Sequence, residues 1–123
     1  MNSATSIRIE YDALRVLSYT GISNTYAPVG TVFLFPIRML KITNTTDSDI
    51  LVTFGTSFFT NENTDLDVVP AKSAYIYDYC SNRADKAGLL EQSAGSVIYV
   101  RTVTGNPTLG AVYATVIHVT QTL

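Results

Sequence analysis

The segment "AVYATVIHV", residues Ala111 to Val119, is apolar on both of its sides. Read as a strand, it puts Ala111, Tyr113, Thr115 and Ile117 on one side and Val112, Ala114, Val116 and His118 on the other. Successive side chains of a strand point to opposite sides of the sheet. A sheet with one side in water therefore alternates apolar with polar residues. This strand does not alternate, so each side must meet something. One side meets a second layer of the same domain; the other meets a further layer or a neighbouring chain.

The rest of the chain has the same grain. Short apolar runs rich in β-branched and aromatic residues are separated by turn chemistry. In "VFLFPIRMLKITN", Pro36 cannot donate to a ladder, so a strand should stop or bend there. Beyond it Arg38, Leu40 and Ile42 fall on one face and Ile37, Met39 and Lys41 on the other. Asn44-Thr45-Thr46-Asp47-Ser48-Asp49 is all Asx and hydroxyl residues, whose side chains bond nearby backbone and reverse the chain. We read it as a hairpin turn into "ILVTF". A loop, "GTSFFTNENTDLD", then leads to "VVPAKSAYIYDY", with a turn at Pro70–Lys72 ahead of a strand from Ala74 to Tyr79. "SNRADKAGLLEQSAG" is the one helical candidate, capped by Ser81 or Asn82 and limited by Gly88 to a turn or two. "VIYVRTVTG" is a strand, and "NPTLG" turns the chain into the final one. The first thirty residues carry Ile7, Ile9, Leu14, Leu17 and Ile22 among polar spacers, as an extended arm plus a strand near Leu14 to Thr20. A short helix from Asp12 is the other reading, disfavoured by Val16, Ser18, Tyr19 and Thr20 ahead of Gly21. The expected fold is all-β: an antiparallel β-sandwich or jelly roll over residues 31–123, with residues 1–30 as extended N-terminal arm and first strand.

Composition enters here because it asks where the apolar surface goes. Of 123 residues, 46% are hydrophobic and only 15% charged, against about 25% charged in a typical soluble domain. A domain this small has much surface for its volume, so part of its apolar matter should be covered by other subunits. A net charge of −2 and eight scattered Lys and Arg residues give no basic stripe for nucleic acid. No apolar run approaches a membrane span. The N-terminal "MNSATSIRIEYD" is polar and lacks the apolar core of a signal peptide, and Cys80 is the single cysteine. Both features point to assembly in the cytoplasm.

Chemistry is sparse. His118 is the sole histidine, so neither a histidine metal cluster nor a second catalytic base can be built. Cys80 reads as a buried structural thiol, and no nucleophile elbow or phosphate-binding loop is present. An enzyme is not expected, and no cofactor. The carboxylates Asp47 and Asp49 in one turn, and Glu62, Asp65 and Asp67 in another loop, read as solvated turns; a calcium site would need both loops to converge. Eight tyrosines stand in a chain without tryptophan, and Tyr75, Tyr77 and Tyr79 share one strand face. A ring with a hydroxyl tip suits subunit packing; a sugar-stacking groove is the alternative. Candidate interface residues are therefore Ile7, Ile9, Leu14 and Leu17 of the arm with Tyr75, Tyr77, Tyr79 and Tyr113.

"PIRMLKITNTTDSDILVTF", "DVVPAKSAYIYDYCSNR" and "GSVIYVRTVTGNPTLGAVYATVIHV" together resemble small β-sandwich virion proteins of tailed bacteriophages, over about residues 36–119. The resemblance lies in the order of turns and strands and carries no catalytic residues. It implies a structural subunit of the particle, assembled in the bacterial cytoplasm. The first expectation is a capsid decoration or cement protein contacting the major capsid protein. The alternatives are a neck, connector or tail adaptor beside portal proteins, or, more distantly, a glycan- or receptor-binding module of a fibre. A homo-oligomer, trimer or ring, suits strands that are apolar on both faces.

Overall fold

The computed structural model describes residues 6–35, 37–55, 67–78 and 96–122. The helical candidate at 81–95, Cys80, Tyr79, Pro36, Glu62 and Asp65 lie outside the described residues. Two antiparallel sheets pack face to face as a β-sandwich. In the first, β9 (Ala111–Thr122) is the central strand, with β4 (Ile37–Asn44) on one side and β7 (Ser73–Asp78) beyond β4. Its other side is taken by β1 (Ser6–Tyr11) and β2 (Arg15–Ser18) in succession. The second sheet runs β3 (Ala27–Pro28), β8 (Val97–Thr102), β5 (Ile50–Gly55) and β6 (Asp67–Val69).

The period of two in each strand builds the core. Leu40 and Ile42 of β4, Val112, Ala114 and Val116 of β9, Ile50 and Val52 of β5, and Ile98 and Val100 of β8 are all buried between the sheets. Ile37 is buried too, three residues before Leu40, which strict alternation forbids. A β-bulge resolves this. Ile37 pairs with His118 and Met39 with Ile117, so Arg38 is an extra residue and the strand changes phase there. A second bulge lies at the bend between β1 and β2, where Asp12, Ala13 and Leu14 oppose two residues of β9: Tyr11 pairs with Ile117, and Arg15 with Ala114.

The turn at residues 44–49 is not a hairpin. β4 pairs with β7 and β9, whereas β5 pairs with β6 and β8. The chain therefore crosses from one layer to the other between them. The same Asx and hydroxyl chemistry serves both kinds of reversal, and only the distant pairing partners tell them apart. The turn around Pro70–Lys72 also changes layers, and it sets Lys72 at φ 61. The N-terminal region is extended, apart from one 3-10 turn at Tyr19–Gly21 that starts behind the Ser18 side chain. β1 and β2 are strands of the first sheet, Leu17 packs against the core, and Ile22 and Val29 are core residues, so this stretch packs with the sandwich well before residue 30.

Candidate functional site

The outer face of the β9 sheet is the first feature that could act on another molecule. Residues paired across strands share a face. Lys41, Thr43 and Met39 of β4 lie opposite Thr115, Tyr113 and Ile117 of β9, and this face turns away from the core. Val16 joins beside Tyr113, Tyr11 beside Ile117, and Ile76 beside Lys41. Tyr11 is 70%, Ile76 64% and Val16 50% exposed. The other sheet differs: both faces of β8 are buried, Val97 and Tyr99 included. The open apolar face continues into a groove of about 440 Å³ between the β1–β2 bend and the loop at residues 30–34, edged by Leu14 and Leu34. Gly30 forms the floor at φ +84, with no room for a Cβ above the Arg15 side chain. Arg15 in turn lies over the Phe33 ring, 5.0 Å from its centre, and 3.5 Å from Asp12.

At one end of the sandwich the crossing turn is tied by side chains. Asn44 is fully buried, and its amide nitrogen donates to the carbonyls of Ser48 at 2.8 Å, Val69 at 3.0 Å and Pro70 at 3.2 Å. Its amide oxygen accepts from the Thr46 backbone N–H at 3.0 Å and the Thr46 hydroxyl at 2.6 Å. Asp49 accepts from the Ala71 N–H, and Asp47 from the N–H and hydroxyl of Thr108. The acidic residues of this turn thus fasten neighbouring loops, and among the described residues no three His, Cys, Asp or Glu side chains are grouped to hold a metal. The Thr108 hydroxyl, helped by the Thr108 amide, holds the Asp47 carboxyl below its ordinary value of 3.8. Because folding makes the group more acidic, its contribution is complete above the ordinary carboxylate range and drains away as the pH falls through it. Asp47→Asn should therefore lower the melting temperature modestly at neutral pH and converge with the native chain in acid, which flattens the acid limb of a plot of melting temperature against pH.

His118 is buried near the opposite end of β9. Its Nε2 lies 3.3 Å from Glu10 Oε1 and its Nδ1 3.0 Å from Asp12 Oδ1, and the Phe35 ring stacks on it at 4.6 Å. Neither nitrogen has the alignment of a hydrogen bond. Charge and proximity relate the three groups.

The residues singled out from sequence scatter over these features. Leu14 edges the groove and is 57% exposed, whereas Leu17 faces inward and packs partly against the core. Ile7 and Ile9 lie on β1, paired with Gln121 and Val119. Tyr113 is half-buried on the outer face. Tyr75 and Tyr77 pair with Ile42 and Leu40, so they point to the inner side of the edge strand β7. Tyr77 packs against the core, and its hydroxyl donates to Asp67 at 2.9 Å. Tyr11, Val16 and Ile76 were not singled out. The parity of Ile76 against the tyrosines was readable, but which parity faces out was not.

No protein-family model matches the chain, and no curated protein does. Solved structures similar to it along most of its length include two of phage origin. One is the SPBc2 prophage-derived protein YomS, 12% identical, with a TM-score of 0.40, covering 95% of this chain and 97% of that one. The other belongs to the cyanophage Pam1 capsid asymmetric unit, 13% identical, with a TM-score of 0.43, covering 95% of this chain and 86% of that one.

Proposed function

We propose that the protein is a non-enzymatic structural subunit of a bacteriophage particle, a decoration or cement protein that bridges neighbouring capsid subunits. The observation that carries this reading is the open outer face of the β9 sheet, where Tyr11, Val16 and Ile76 stand in water around the half-buried Met39, Tyr113 and Ile117, with Lys41, Thr43 and Thr115 as the polar residues among them. Single exposed apolar residues are ordinary, but a contiguous set on one sheet face marks a surface meant to be covered. The sequence resemblance to phage virion proteins supports the same reading. So does the wiring. The orders β2-β9-β4-β7 and β3-β8-β5-β6 set the chain neighbour of each strand at the same place in the other sheet. We take this as a jelly roll, a form used by viral capsid and lectin domains.

A major capsid protein and a second copy of this chain are the partners that such a face would serve, in a trimer or ring assembled in the host cytoplasm. The N-terminal arm adds contacts in this picture, its part being the residues ahead of Asp12, since Ile22 and Val29 belong to the core. Val16→Lys with Ile76→Lys should leave the sandwich folded and weaken incorporation into co-expressed capsids on the order of 30-fold, the effect of losing an interface hot spot. Removal of residues 1–11 tests the arm in the same assay. Full incorporation of the double variant would defeat the proposal for the face; full incorporation of the truncated chain would defeat it for the arm. A neck or connector role would show as binding to portal rather than capsid protein.

A further inference from the structure

His118 is a buried imidazole with no aligned hydrogen bond at either nitrogen, and a buried polar group left in that state calls for an account. Its surroundings supply one. β1 brings Glu10 to Nε2, and the bend after β1 brings Asp12 to Nδ1. Asp12 is anchored at its own backbone, whose N–H donates to Val116, and Arg15 stands 3.5 Å from its carboxylate. The segment before β4 offers the Phe35 ring, and β4 itself places Ile37 opposite His118, next to Arg38 in the bulge. A neutral imidazole has one N–H and one lone pair, so one of the two carboxylates must face a lone pair. An imidazolium faces both with an N–H and a positive charge. The imidazole itself is shielded from water while Glu10 and Asp12 stand at its partly exposed rim, and its burial enlarges the difference between the two states.

We infer that His118 is a proton-operated clamp on the N-terminal strand: charged, it draws Glu10 and Asp12 onto β9 and holds β1 down; neutral, it lets β1 lift from the sheet edge. The clamp is closed with the imidazole charged and open with it neutral. Opening uncovers the edge of β9 over residues 117–122, the stretch β1 pairs with. An unpaired edge is a template for another strand. The clamp therefore sets when that edge is available. This inference does not depend on the phage reading.

The test is amide hydrogen exchange on the full chain at about pH 5 and about pH 8, on either side of the ordinary imidazole range. Protection factors are corrected for intrinsic rates and compared between β1 and the β5–β8 pair. Protection of the β1 amides should fall about tenfold more than that of β5 and β8 between the two pH values, the worth of one hydrogen bond to a charged group. Glu10→Gln should shrink that excess and His118→Gln should remove it. Should His118→Gln not fold, Glu10→Gln alone carries the comparison, since Glu10 is partly exposed. Parallel behaviour of β1 with β5 and β8 in the native chain, or an excess that survives the substitutions, would overturn the clamp.

Discussion

Asn44→Ala should lower the stability of the fold by about 3–4 kcal/mol and the melting temperature on the order of 15 °C. The side chain is fully buried and joins three carbonyls, from Ser48, Val69 and Pro70, to the amide and hydroxyl of Thr46. Its two N–H groups are shared among three acceptors, and only one orientation of the amide satisfies both ends. Alanine removes these five bonds at once; the Ser48 carbonyl keeps the Thr46 hydroxyl, but each other buried carbonyl or amide left unpaired carries a desolvation penalty of about 1–3 kcal/mol unless water enters. Asn44→Asp is the sharper control. It matches the size of the side chain and keeps the acceptor toward Thr46, but sets a carboxylate oxygen against three carbonyls, so it should be no better tolerated than alanine. Urea unfolding of both variants checks the pair. A loss below about 1 kcal/mol, in the range of an ordinary surface change, would mean the knot is not what joins the layers.

Gly110→Ala should come second, at about 2–4 kcal/mol, from strain rather than lost bonds. Gly110 sits at φ +87, a conformation L side chains rarely adopt, and a Cβ there would run into the backbone carbonyl of Thr45. That neighbour is backbone, so it can yield only by moving the turn. Thr45 is bound to the next residue from three directions: its N–H and hydroxyl donate to the Ala111 carbonyl, and its hydroxyl accepts from the Ala111 N–H. The Gly110 carbonyl accepts from the Tyr19 N–H. Alanine must therefore pry apart the crossing of two loops and tug on the start of the 3-10 turn. Asn44→Ala and Gly110→Ala act on one cluster, so their combined effect should fall short of the sum.

The class of fold was legible because β9 announces itself. Nine residues apolar on both sides admit few homes besides the middle of a sandwich, and the short strands around it follow the period of two. The layer change after Asn44 was not legible. A hairpin and an arch use the same turn residues, and the pairing that separates them lies with Val69, Val100 and Thr102. The role of Asn44 was hidden for the same reason, since two of its acceptors are 25 and 26 residues away. In the sequence His118 is only the sole histidine, set in a strand that is apolar on both sides. Its two carboxylates stand near the start of the chain, and nothing in the local sequence points to them. Tyr75 and Tyr77 show the complementary limit: alternation put them on one face, but the choice between inside and outside rests on which strand lies alongside.

The position of β9 bears on how such a molecule comes into being. Its pairs join Ser6 to Thr122 and Ser18 to Ala111, so the earliest strands to leave the ribosome are matched with the latest. Until that long strand is released, β1, β2 and β4 have no common neighbour, and apolar edges stay bare through most of synthesis. The sheet is closed by its final segment, and a nascent chain has to be kept from its sisters until then.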